Sequence, residues 1–243
     1  LDALLRVVAM VMRLAPSGAG AGVAFTIGKY GFGTVWSLAY LMLGVYATSI
    51  LFVVLVLGSV CAWTGFSLAK VLSYFKDEIL ITFGTCSTEA VMPRMMAKLE
   101  RLGCEKSVVG LVLPTGYTFN ADGTCIYLTM AALFIAQAYG LELSVLTQFT
   151  VVALALLTSI GVAGIPSASL VAIAIILTAV GLPLEGVGLI LAVDRVLDMA
   201  RTAVNVFGDT VGAVLMAHLE GEQVLSAATA AKVAVAPGSD ASA

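Results

Sequence analysis

The chain has 243 residues, 60% hydrophobic and only 11% charged, and its mean hydropathy is +1.07. A soluble domain carries about 25% charged residues, so the composition excludes one and points to several helices packed in lipid. A net charge of −3 with no basic tract excludes nucleic acid as a partner.

The first residue is Leu1, already in an apolar helical context, without a starting methionine or signal peptide. This reads as a fragment whose N-terminal part is missing. Residues 1–28 are expected to form a helix that opens on Arg6 and Arg13 and is interrupted at Pro16 to Gly18. Residues 32–64 form a long apolar helix with Trp36 and Trp63 near its ends, as an interfacial belt would place them.

From Phe66 the pattern changes. Two short helices, 67–83 and 89–102, flank a polar patch at Gly84, Thr85, Cys86, Ser87 and Thr88. Each is too short for a bilayer, which needs about 20 apolar residues. Two half-helices meeting at a small polar tip describe a re-entrant hairpin, over 66–102.

The next span, 106–138, is interrupted at Pro114, Thr115 and Gly116 and again from Asn120 to Thr124. Asp122 sits there beside glycines, where unwound backbone would offer carbonyl oxygens to a hard cation. A soft kink explains the Pro and Gly but not a buried carboxylate, which needs a partner. A second candidate hairpin, 147–180, turns at a tip of small residues running from Thr158 to Ser169. Gly181 and Pro183 then precede a final helix, 184–218, and an Ala-rich tail, 223–243.

That final helix carries Asp194, Asp198, Arg201, Thr202, Asn205 and Asp209 within an arc of roughly 100°, while Arg195 points elsewhere. In hydrocarbon each charge would cost on the order of 2.5–3.5 kcal/mol. The face must look at protein, water, ions or a solute. It reads either as a structural ion-pair network or as a site for ions and an anionic or zwitterionic substrate. Interrupted segments at corresponding places in two halves point to a secondary transporter.

Other chemistry is poorly supplied. Cys61, Cys86, Cys104 and Cys125 lie far apart and read as free thiols. The single histidine, His218, ends a helix, and Ser87 and Cys86 have no base nearby in sequence, which argues against an enzyme. Lys70, Lys76, Lys98, Arg101 and Lys106 place the first hairpin on the cytoplasmic side and the second outside.

Together the motifs resemble the dicarboxylate/amino acid:cation symporters, which include the glutamate transporters. They are residues 84–93, the Asn120-Ala121-Asp122-Gly123-Thr124 run, residues 159–166 and residues 194–209. The resemblance implies an all-α membrane protein of glutamate-transporter-like fold. Residues 1–28 would be a scaffold-type helix and 66–222 a transport core that moves across a cell membrane as an elevator, gated by the second hairpin. It also implies a homotrimer and further helices ahead of this chain.

By resemblance the substrate contacts are Ser87, Thr88, Thr124, Ala163, Gly164, Asp198, Arg201, Thr202 and Asn205. Arg201 would grip a substrate carboxylate, for which a guanidinium fork suits. Asp198 would pair with an α-amino group. Asp209 with Gly116, Asn120 and Asn205 resembles one sodium site. Thr118, Ser159, Ile160 and Val162 resemble a second, and Asp122 with Asn120 a third. The second tip departs from the family in Ser167 and Ser169, where glycines are common.

Carriers of C4-dicarboxylates in this family tend to lack the aspartate at position 198 and to have asparagine at 209. A bare Asp198 would repel succinate: at ~4 Å and an effective dielectric of about 20, a like-charge contact costs roughly 4 kcal/mol. The expectation is therefore a symporter for glutamate or aspartate, with C4-dicarboxylates as the alternative. The coupling ion is Na+ or H+, and no cofactor is expected.

Overall fold

The computed structural model describes residues 31–162, 164, 166–222 and 224, and positions 20, 21, 24, 27 and 28. The remainder of the 1–28 segment, Ala163, and the tail apart from Val224 lie outside the described residues. Among those described there are helices, turns and loops and no strand.

Helix α1, Gly33–Trp63, is continuous through a π segment at Val53–Leu57. Its two tryptophans are exposed. At ~1.5 Å per residue they stand about 40 Å apart, close to the ~40–45 Å of a bilayer with its headgroups. Leu43, Ile50, Leu51 and Leu55 are exposed between them, a surface that suits lipid or neighbouring helices rather than water.

Helices α2, Leu68–Thr85, and α3, Met92–Arg101, form the first expected pair. Cys86 stops α2 by adopting a left-handed backbone, φ 54°. Pro93 lies in the first turn of α3, where its missing N–H costs nothing. Glu78 and Lys98 join the pair by an ion pair of 2.5 Å. Lys98 Nζ also donates to the Tyr74 carbonyl at 3.0 Å.

Helices α4, Lys106–Phe119, and α5, Asp122–Ala138, follow. The break differs from the sequence expectation in extent. Pro114 sits inside α4, and the helix runs on through Thr115 and Gly116. Losing one N–H removes one bond, and the flanking bonds hold the turn. The chain leaves helical geometry only at Asn120 and Ala121, with ψ of 71° and 60°.

The second pair is α6, Val145–Ser159, and α7, Ser169–Ala179. Ser144 caps α6 by accepting from the Thr147 N–H at 3.2 Å. The single helix expected over 184–218 is divided. A 3-10 turn, Leu184–Gly186, leads into the short α8, Val187–Leu191, and then α9, Asp194–Leu219. The break at Ala192 and Val193 puts Asp194 in the first turn of α9, where a carboxylate is favoured by the helix dipole.

Two apolar clusters form the core. One joins the first half of α1 to α5, α6, α7, α8 and the start of α9. The other joins the end of α1 to α2, α3, α4 and the second half of α9. Helix α9 belongs to both, and its polar face lies where they meet.

The start of α5 presses on α9 without room for a side chain. A Cβ on Gly123 would run into the backbone carbonyl of Arg201. Gly123→Ala should therefore destabilise the protein by ~1–3 kcal/mol. Gly110→Ala, whose Cβ meets open space, is the control: thermal unfolding should come earlier for the first variant and not for the second.

Candidate functional site

All six polar residues of the α9 face are buried: Asp194, Asp198, Arg201, Thr202, Asn205 and Asp209. Arg201 forms an ion pair with Asp198 one turn earlier, through both Nε and Nη2. Thr202 Oγ1 donates to the Asp198 carbonyl at 2.8 Å and to its carboxylate at 3.3 Å. The Ser167 N–H donates to the other Asp198 oxygen at 2.9 Å. Both oxygens of this carboxylate therefore hold partners before any solute arrives.

Asn205 serves α5. Its Oδ1 accepts from the N–H groups of Gly123 and Thr124 at 2.7 and 3.3 Å, and its Nδ2 donates to Thr124 Oγ1 at 2.9 Å. The first N–H groups of a helix have no partner within it. The α5 residues leave the cap to a side chain reaching across from α9.

The two tips are tied to the start of α9. Arg195 Nη2 donates to the carbonyls of Gly84 and Thr85 at 3.2 and 3.3 Å, holding the first. Asp194 and Asp198 hold the second through Ser167. Tip meets tip at Gly164, where a Cβ would land on Thr88.

Between them is a small cavity lined by Thr88, Tyr117, Thr124, Val162, Gly164, Arg201, Thr202, Asn205 and Asp209. Its volume is ≈ 10 Å³, about what one water needs. Of the described residues expected to bind substrate, Ser87 and Asp198 do not line it. Ser87 Oγ accepts from the Ala90 N–H within its own tip, and Asp198 lies behind Arg201 and Thr202, its partners.

Beside the cavity lies an oxygen-rich corner. Asn120 Nδ2 donates to Asp209 Oδ1 at 3.1 Å. Gly116 lies against the same carboxylate, and Asp122 approaches Gly208 on α9. Asp209 Oδ2 is buried with no hydrogen-bond partner. An orphaned carboxylate oxygen among oxygen ligands fits a hard monovalent cation. Thr118, Ser159 and Ile160 do not line the cavity; Thr118 Oγ1 donates back to the Pro114 carbonyl and Ser159 Oγ to that of Leu156. Of that set only Val162 reaches it.

The model of the sodium:dicarboxylate symporter family matches residues 1–219. The chain belongs to this family. It is also 50% identical over 219 residues to a C4-dicarboxylate transport protein of Laribacter hongkongensis (strain HLHK9), an alignment covering 90% of this chain and 50% of that protein. The chain thus spans about half the length of the curated relative it matches.

Membership of the symporter family makes this a transporter sequence and not an enzyme. It also gives the exposed apolar helices a membrane to face. The four cysteines are free thiols, as expected. Cys104, in the loop before α4, is pushed up to about 12 by burial and by Glu222 nearby. It should react slowly with maleimides in the folded symporter and readily after unfolding.

Two participants, Tyr127 and Tyr117, escaped the sequence, and the contacts of a third, Ser167, were not foreseen. Tyr127 on α5 donates to Asp194 Oδ1 at 2.6 Å, and Ser167 Oγ donates to Asp194 Oδ2 at 2.6 Å. Tyr117 lines the cavity with a buried hydroxyl that has no partner. Of these, Ser167 alone was marked in the sequence, as one of the two serines at the second tip.

Proposed function

We propose that the protein containing this chain carries C4-dicarboxylates such as succinate, fumarate or malate across a cell membrane, coupled to sodium. The observation that carries this reading is the state of Asp198. It is wholly buried and paired with Arg201, Ser167 and Thr202. It neither repels a diacid as a bare charge nor awaits an ammonium group. The expectation of an acidic amino acid rested on the aspartates at 198 and 209 and on the charge a bare Asp198 would show a diacid. With Asp198 paired, and with a C4-dicarboxylate transport protein among the chain's relatives, the alternative has the better support.

Charge gives the reason for coupling. The buried α9 face holds Asp194, Asp198 and Asp209 against one cation, Arg201. Adding a dianion to that excess is unfavourable in a low dielectric. Cations entering at Asp209, with Asn120, Asp122 and the backbone near Gly116, would offset it. Arg201 would turn its remaining N–H groups to one substrate carboxylate, with Thr88 and Thr124 as further polar contacts. The cavity is too small for a four-carbon diacid, so admission separates Gly164 from Thr88. The two short helix pairs act as re-entrant hairpins, and the core from 66 to 222 moves as an elevator within a trimer.

Competition tests the substrate class. In proteoliposomes of the full-length protein, unlabelled fumarate and malate should block labelled succinate uptake at least tenfold better than L-aspartate or L-glutamate. Equal or better block by the amino acids would restore the acidic amino acid reading.

A further inference from the structure

We propose that Ser167 is a positioning residue that latches the second tip onto α9, and so sets how often the site opens. Two groups of this one residue reach two different buried carboxylates. Its N–H donates to Asp198 at 2.9 Å and its Oγ to Asp194 at 2.6 Å. Asp194 is held from its other side by Tyr127 at 2.6 Å. The chain of contacts therefore runs from α5 through α9 to the tip.

The backbone adds a second observation. Ser167 has φ of 61°, a left-handed conformation that a non-glycine residue rarely adopts. Such strain persists only where surrounding contacts over-determine it. Here the two carboxylates do so. The first tip has its own tie, through Arg195 to Gly84 and Thr85. Opening between Thr88 and Gly164 must then break the Ser167 contacts, the Arg195 contacts, or both. The hydroxyl of Ser167 is the part that a glycine at this position would lack.

This inference rests on the reading that the tips separate to admit substrate, but its test does not depend on which substrate is carried. In a cysteine-free background of the full-length protein, Ala168→Cys reports exposure of the tip by its rate of labelling with a membrane-impermeant maleimide. Glu142→Cys, in an exposed loop before α6, is the control. Ser167→Gly keeps the N–H contact, suits φ of 61°, and deletes only the hydroxyl contact.

Ser167→Gly should raise labelling at 168 about tenfold, the scale of losing one charge-assisted hydrogen bond. The rate at 142 should stay unchanged. In an Asp194→Ala background the same substitution should have no further effect, because the acceptor is already gone. Unchanged labelling at 168 would overturn the latch. So would an equal rise at 142, which reports general loosening, or an undiminished effect of Ser167→Gly without Asp194. Labelled succinate uptake, measured alongside, separates these outcomes from a failure of the substrate reading.

Discussion

Arg201→Ala should abolish uptake of diacids, lowering initial rates by at least ~100-fold. Arg201 is the one buried basic side chain among the described residues, and it lines the cavity between the tips. Removing it leaves Asp198 buried without its counter-charge, a change that costs about 3–5 kcal/mol in comparable sites. It also removes the guanidinium that, in the proposed function, would take a substrate carboxylate. Arg201→Lys separates charge from geometry. It keeps a point charge but loses the fork, so it should recover folding, judged by thermal unfolding, while uptake stays at least ~10-fold low. Normal succinate affinity in Arg201→Ala would remove Arg201 from substrate recognition.

Asp209→Asn should raise the sodium concentration needed for half-maximal uptake by at least ~10-fold. Its Oδ1 is held by Asn120, while its Oδ2 is buried without a donor. A carboxylate left in that state is disfavoured unless a cation meets it. An amide has half the acceptor capacity and no charge. Sodium should also raise the unfolding temperature of the parent, since a ligand that binds only the folded state stabilises it. That rise should shrink in Asp209→Asn. The same sodium dependence in parent and variant would place the coupling ion elsewhere.

The polar face of α9 was legible because charge has nowhere to hide in an apolar run. Asp194, Asp198, Arg201 and Asp209 had to face inward, and they do. The short helix pairs were legible for a similar reason: Cys86 and the small residues near Gly164 break runs too short to span a bilayer. Helix ends were less so. Pro114 looked like a break, but a proline removes one bond and α4 continues to Phe119. The division at Ala192 and Val193 carries no glycine or proline at all.

What the sequence hid was which polar groups meet. Asp198 and Arg201 are three residues apart, the spacing of an ion pair on one helix face. The sequence left open both an ion-pair network and a solute site on this face, and the Asp198–Arg201 pair forms without a solute. Tyr127 lies far from Asp194 in sequence, and only the packing of α5 on α9 brings its hydroxyl there. Asn205 capping α5 is a contact of the same kind.

The most direct measurement is accumulation of labelled succinate by full-length protein in proteoliposomes under an imposed inward sodium gradient. Concentrative succinate uptake that collapses when sodium is replaced by potassium is the predicted result. Sodium-driven accumulation of L-aspartate with none of succinate would contradict the account. It would return Asp198 to the role of an ammonium site.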